Sequence, residues 1–312
     1  MSHLGEIISL IVALSWTFSA WFADKASRRI GSMVTNVIRL AMATVFLAVL
    51  LWITTGHPYP AFADAKTWQW LALSALVGYV FGDFCLFNCY VQIGPRFGQL
   101  LMTIAPPSAA IAGYFILGES LTWKSIIAMC VTLAGIAISI LSRDSGHHVR
   151  LSLPLKGILL GAGAGIGQGV GLVLSKVGME HYAAALPQGT SEAMQVMLPF
   201  ASTMIRAIIG FAGFLIILSI QKGLGRLANG IKDRTGMKYA ALLTLFGPAV
   251  GVSLSLMAVQ YTDAGIASTL MALTPVMIIA PDMLINKKKV ALKEIVGVAV
   301  AMLGVCMFFL YK

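Results

Sequence analysis

Phe97-Gly-Gln-Leu-Leu-Met-Thr-Ile-Ala-Pro-Pro-Ser-Ala-Ala-Ile-Ala-Gly-Tyr-Phe-Ile-Leu117 runs for twenty-one residues without a charge and carries two prolines at its middle. A helix needs roughly 20 apolar residues to cross a bilayer, so this run has the length of one span. A proline inside it removes a backbone hydrogen bond and frees carbonyls one turn earlier, near Met102. Such carbonyls are tolerated within a membrane only where protein or a wet cavity satisfies them.

Outward from this stretch the whole chain reads the same way. Of 312 residues, 58% are hydrophobic and 11% charged, against roughly 25% charged in a soluble domain. Spans are expected at about 4–22, 34–54, 68–90, 97–117, 123–142, 156–175, 199–220, 239–261, 265–285 and 292–311. The first has Glu6 and no basic residue before it, which is a poor signal peptide, so it is counted as an uncleaved span. The reading is an all-α, multi-pass integral protein of the cell membrane, with the bacterial inner membrane as the expected location.

The net charge of +10 does not point to nucleic acid. Lys and Arg sit in short segments between apolar runs, and no basic stripe interleaved with aromatics occurs on a segment long enough for a soluble domain. The set 23–33, 91–96, 143–156, 221–238 and 286–294 holds 16 of them, and the other connections with the termini hold four. By the positive-inside rule the rich set is cytoplasmic and both termini are outside. Leu224, Leu227 and Ile231, between basic residues, suggest a short helix on that surface. Cys85, Cys89, Cys130 and Cys306 all lie in apolar runs, without a metal-ligand pattern. No metal and no cofactor are expected.

The polar break 143–155 divides the chain into 1–142 and 156–312, each with five spans. Shifted by 169 positions, Gly78 meets Gly247, Pro106 meets Pro275, Lys124 meets Lys293 and Gly135 meets Gly304. Asn36-Val-Ile-Arg39 parallels Thr203-Met-Ile-Arg206 at a slightly different shift. Five is odd, so two such copies lie upside down relative to each other. Ten helices in two inverted five-helix repeats is a construction of secondary transporters, with substrate held at the midplane between the halves.

Gln99-Leu-Leu-Met-Thr-Ile-Ala-Pro-Pro107, Leu117-Gly-Glu119-Ser-Leu-Thr and Leu133-Ala-Gly135-Ile, partly repeated as Ala272-Leu-Thr-Pro275 and Leu303-Gly304-Val, resemble the EamA-type repeat of the drug/metabolite transporter superfamily. The resemblance implies ten helices, two inverted repeats and a carrier for small metabolites, often an exporter. It departs in two respects. Lys287-Lys288-Lys289 stands where a second Gly-Glu is expected, and the family's typical members have cytoplasmic termini, opposite to the charge count.

Asp83 leads the candidate site residues. A carboxylate inside a span is costly and usually faces a bundle interior or a cavity, here at an expected third of the way in from the cytoplasmic end. Phe87 and Tyr90 follow at i+4 and i+7, on the same helical face. Such a face suits a cation, an amine or a coupling proton. The structural alternative is an Asp tied to Asn88 or to another helix. Gln99 and Thr103 precede Pro106, and Ser268 precedes Pro275 at the matching place, so two kinked helices are expected to line one cavity. Gln168 interrupts the glycine rows Gly157, Gly161, Gly165, Gly169 and Gly163, Gly167, Gly171, and Trp16-Thr17 lie at about the matching place in the first span. The glycine rows suit either tight helix packing or a moving gate. Arg39 and Arg206 are expected to snorkel to the interface, and the 178–198 connection is long enough to cover an outer opening.

The expected function is secondary active transport of a small organic metabolite, such as an amino acid or amine, by alternating access. The alternatives are a passive channel and, far behind, an intramembrane lipid-modifying enzyme. The expected partners are the substrate, the bilayer and a coupling proton taken up at Asp83. Oligomeric state, substrate and direction are left open.

Overall fold

In the computed structural model, residues 3–142, 154–277 and 292–310 are described. The tri-lysine turn, Asp282, and His147-His148 lie outside them. The helices are α1 (Leu4–Ile30), α2 (Ser32–Thr55), α3 (Ala65–Ala75), α4 (Phe84–Leu101), α5 (Ala105–Leu117), α6 (Trp123–Ser142), α7 (Leu155–Ala185), α8 (Glu192–Ile220), α9 (Leu224–Lys232), α10 (Arg234–Thr244), α11 (Ser253–Tyr261), α12 (Ala264–Met271), α13 (Thr274–Met277) and α14 (Leu292–Leu310). Among the described residues nine helical stretches are long and apolar enough to cross a membrane, and Ala264–Met277 forms a shorter tenth.

Packing between helices has the pattern of a two-fold relation between five-helix halves. α2 packs on α8, α5 on α12, and α6 on α14. α1 packs along α10 and α11, and α7 packs along α3 and α4. Exchanging the halves maps each of these pairings onto itself or onto another member of the set, as a two-fold relation requires, and with five spans in each half the copies are inverted. Lipid tails offer no hydrophobic drive between helices, so close backbone approach holds the pairs together. A Cβ on Gly135 would collide with the Ala301 nitrogen, and one on Gly304 with the Thr132 nitrogen. α6 and α14 therefore touch backbone to backbone.

Two breaks in regular α-geometry repeat at the same shift of 169. Leu76–Asp83 and Leu245–Val252 are both π-helical, joining α3 to α4 and α10 to α11. They read Leu-Val-Gly-Tyr-Val-Phe-Gly-Asp and Leu-Phe-Gly-Pro-Ala-Val-Gly-Val, sharing a leucine and two glycines. Upstream, Asp64 and Asp233, also 169 apart, cap the N-termini of α3 and α10. Asp64 accepts from the Thr67 N–H at 2.8 Å, and Asp233 from those of Thr235 and Gly236, each at 3.0 Å.

Both glycine rows of α7 are packing surfaces. Gly163, Gly167 and Gly171 meet Phe81 with Cys85, Val77 with Gly82, and Gly78. Gly157, Gly161, Gly165 and Gly169 meet Ile93, Leu101, Ile104 and Ala105. Contacts from Gly178–Leu71 to Gly157–Ile93 run antiparallel to α7, and those from Leu101 to Ala109 run parallel to it. The chain thus reverses direction between Ile93 and Leu101, within the stretch Phe84–Leu101.

Several helices are longer than their hydropathy suggests. α1 continues to Ile30, and the expected 178–198 connection is mostly helix, leaving only 186–191 between α7 and α8. Ser191 caps α8 through the Met194 N–H, and Glu192 favours the positive end of the helix dipole. These local signals outweigh the drop in hydropathy. Leu224–Lys232 is the short amphipathic helix, with Leu224 and Ile231 exposed.

Candidate functional site

The first π turn gathers the charged residues of the bundle interior. Asp83 ends the turn and is 8% exposed. Arg39 of α2 donates from Nη2 to Asp83 Oδ2 at 2.5 Å. Gln168 of α7 donates from Nε2 to Asp83 Oδ1 at 2.8 Å and to the Gly78 carbonyl at 2.9 Å. A π turn displaces carbonyls from the α-helical pattern, and Gln168 uses one of them as an acceptor. Arg206 of α8 stacks on Tyr79, its guanidinium carbon 4.6 Å from the ring centroid.

Depth makes this cluster unusual. Asp83 is level with Gln168, which stands thirteen residues from the start of the 31-residue α7. The acid is therefore well inside the bundle, level with a residue thirteen positions along α7. Arg206 stands at the centre of α8, fourteen residues from each end, and is 4% exposed. At 1.5 Å per residue that is roughly 20 Å from either terminus, beyond the reach of a snorkelling side chain. Snorkelling fails for Arg39 as well, because its guanidinium turns inward to Asp83. Asn88 is no partner of the acid: its amide bonds back to the Phe84 carbonyl at 2.8 Å.

The other sequence candidates fall in two further places. Trp16 and Thr17 lie on the α1 side of the second copy. A methyl on Gly251 would meet Trp16 Nε1 at 2.6 Å, while Thr17 Oγ1 donates to the Ala13 carbonyl at 2.9 Å and reaches that of Thr274 at 3.4 Å. Thr103, Pro106, Ser268 and Pro275 lie at or beside the interrupted helices. α4 passes through a tight 3-10 turn, Met102–Ile104, before Pro106 enters the first turn of α5. α12 stops at Met271, and Pro275 enters the first turn of α13. Thr103 Oγ1 covers the Leu100 carbonyl at 2.6 Å, and Thr274 Oγ1 covers that of Met271 at 2.9 Å. Gln99 is half-buried near the end of α4, and Ser268 is buried within α12. Phe87 and Tyr90 belong to α4, but their side chains lie outside the described residues. Asp83 and Gln168 are thus brought together, with Trp16 and Thr17 at the opposite copy.

Arg39 and Arg206, expected from sequence to snorkel, and Tyr79, which the sequence did not mark, join the candidate site. The signal for Arg206 was the Ser191-Glu192 cap, which lengthens α8 and moves the arginine to its centre. Glu119 was singled out only through a resemblance, and the structure gives it partners. Its Oε1 accepts from Lys176 Nζ at 2.5 Å, and its Oε2 accepts from the Ala264 N–H at 2.9 Å. Lys176 also reaches the Thr262 carbonyl at 3.3 Å, and Thr262 Oγ1 donates to Glu6 at 3.2 Å. At this end of the bundle, both halves are tied by one polar cluster. Two apolar grooves flank Phe81 on the outer surface, one towards Leu155 and Leu159, the other towards Val80 and Ile217. Neither contains the charged cluster.

An all-helical membrane protein in two inverted halves, with paired charges at mid-depth between them, has the build of a membrane transporter. The sequence pattern of the EamA-like transporter family matches residues 3–141 and again 155–310. The chain belongs to that family, of the drug/metabolite transporter superfamily, and its class of partner is a small-molecule substrate. No curated protein sequence matches it significantly. One protein of known crystal structure superposes with a TM-score of 0.73 over 99% of this chain and 98% of its own, at 14% identity, a likeness of fold alone.

Proposed function

We propose that the protein is a secondary active transporter that exports a small organic metabolite, an amino acid or an amine, by alternating access. The single observation that carries this reading is the Asp83–Arg39–Gln168 cluster. It joins residues 1–142 to residues 156–312 at mid-depth, on a π turn that both copies share. Residues 143–155 are the cytoplasmic linker between the moving units. In the bacterial inner membrane the basic connections would face the cytoplasm, with both termini outside.

Rocking one half against the other separates Asp83 from Gln168, because they belong to different halves, while Arg39 travels with Asp83. A buried carboxylate whose donor belongs to the other half changes partners during each cycle, which suits it to couple substrate movement to a proton gradient. Trp16, Thr17, Gln99, Thr103, Gln168 and Ser268, with Phe87 and Tyr90, are assigned to the substrate path. Pro106 and Pro275 are assigned to the helix breaks that allow the path to form. The test is uptake into proteoliposomes of radiolabelled amino acids and amines, with and without a pH gradient and preloaded substrate. Saturable uptake with counterflow is expected. Flux that neither saturates nor shows counterflow would replace the carrier by a channel.

A further inference from the structure

The buried charges around the first π turn do not balance. Arg39 and Arg206 stay cationic in any protein environment, and Asp83 is the carboxylate among the described residues that stands against them. The two Asp83 oxygens accept from Arg39 and from Gln168. Among the described residues the ion pairs are Arg29–Asp233, Arg39–Asp83 and Lys176–Glu119, and Arg206 joins none of them. Its Nε is buried without a hydrogen-bond partner, as are the Nε of Arg39 and the hydroxyl of Tyr79. The Tyr79 ring faces the guanidinium, but a ring face does not cancel a full charge. A permanent cation at the centre of a membrane helix is costly and is kept where a ligand or pathway needs it.

We propose that this cluster is an anion site, and that Arg206, with the Tyr79 hydroxyl and Arg39 Nε, receives the carboxylate of the transported solute. The word transported rests on the carrier reading above; the anion site does not. Two guanidiniums and one aspartate leave a single positive charge, which one carboxylate neutralises and a phosphate dianion would overshoot. The planar fork of arginine matches a carboxylate edge to edge. The Arg206 guanidinium itself lies close over Gly78, where a methyl would stand 3.2 Å from Nη2. Between the two solute classes proposed, the site selects the amino acid or organic acid and rejects the amine.

The test reads the melting temperature of the purified full-length protein, wild type and Arg206→Met, with lactate and phenylalanine, and with their uncharged or cationic counterparts lactamide, phenylalaninamide and putrescine. Two results are expected. A carboxylate-bearing solute raises the wild-type melting temperature where its amide does not. Arg206→Met melts a few degrees higher than wild type without ligand, because an uncompensated buried charge is gone, and it loses the carboxylate-dependent shift. The proposal is overturned if Arg206→Met melts lower and keeps the shift, if amides and putrescine stabilise as well as the acids, or if neither acid stabilises the wild type. Proteoliposome flux separates the two readings. Saturable putrescine flux without carboxylate flux sinks the anion site and leaves the carrier, whereas carboxylate binding without counterflow does the reverse.

Discussion

The two π turns have one backbone and two chemistries. Each follows a helix capped by aspartate, each contains Leu-x-Gly-x-x-x-Gly, and each is crossed by the first helix of the opposite half. A methyl on Gly82 would meet Gln168 Nε2 at 3.3 Å, and one on Gly251 would meet Trp16 Nε1 at 2.6 Å. Gln168 donates to the Gly78 carbonyl in one copy, while Ser15 Oγ donates to that of Phe246 at 2.7 Å in the other. Yet Tyr79 and Asp83 of the first turn are replaced by Pro248 and Val252 in the second. The shared part is what a helix crossing requires: glycines for close approach and a polar group for each displaced carbonyl. The unshared part is ionic, and Arg39 and Arg206, one from each copy, both turn towards the copy that has the acid.

The largest expected effect comes from erasing that difference. Asp83→Ala leaves two arginines against no carboxylate, and breaking a buried pair from one side costs about 3–5 kcal/mol. A severe fall in melting temperature and transport at background are expected. Asp83→Asn keeps the shape and a hydrogen-bond acceptor, so it should remain in the membrane while gradient-driven flux is lost. The double variant Asp83→Val with Val252→Asp tests whether the copies are interchangeable. It is expected to stay inactive, because Gln168 and Arg39 converge on position 83; recovered flux would show that either turn can host the site.

A smaller effect is expected at the bundle end. Glu119→Gln deprives Lys176 of its counter-charge, and a buried donor left poorly satisfied costs about 1–3 kcal/mol. Adding Lys176→Met should recover most of that loss in melting temperature. If it does not, the Ala264 N–H rather than the lysine is the partner that matters. Smaller again is the contrast between Gly78→Ala and Gly247→Ala. The first presses on the Arg206 guanidinium, and the second meets chiefly the Ser19 hydroxyl at 2.9 Å, which can rotate away. Reduced substrate affinity from the first, against wild-type flux from the second, is the expected pair. Equal effects would mean that Arg206 has no special part in binding.

What the sequence carried and what it did not divide along physical lines. Spans are legible because hydropathy is a sum over twenty residues, and the repeat because glycines and prolines mark backbone requirements. The glycine rows of α7 could be read as contact surfaces for the same reason. Helix ends were less legible: α7 and α8 continue past their apolar runs, and α8 starts at a Ser191 cap that a hydropathy window ignores. That one shift of boundary separates a snorkelling Arg206 from a central one. The π turns leave no compositional mark that distinguishes them from a glycine-containing α-helix. Asp83 alone was legible as an intramembrane acid, but its partner lies 44 residues away in sequence and its amide donor 85. Pairings of that kind depend on which helices are neighbours, and hydropathy does not encode neighbours.

The smallest expected effect sharpens the comparison at its outermost point, where the copies agree in residue and differ only in a neighbour. Asp64 and Asp233 cap equivalent helices. Hydrogen bonds from Thr67 hold the Asp64 carboxyl below its ordinary value of 3.8. For Asp233 the main cause is Arg29, whose Nε lies 2.8 and 2.7 Å from the two carboxylate oxygens, with the Gly236 N–H next. A carboxyl whose pKa is depressed by folding stabilises the fold above the unfolded value, and that contribution is lost as pH falls through the folded value. Asparagine caps a helix about as well as aspartate, so Asp64→Asn should be nearly silent at neutral pH. Asp233→Asn keeps the cap and loses the Arg29 pair, which is exposed and therefore weak and sensitive to salt. Its melting temperature should fall slightly below wild type at pH 7 in low salt, and the gap should close in high salt. The gap should also begin to close as pH falls below 3.8 and vanish once the pH is below the depressed value of folded Asp233, where the wild-type carboxyl itself becomes neutral. A gap that persists under acid would assign the loss to the cap and not to the arginine, leaving the two copies alike at this position.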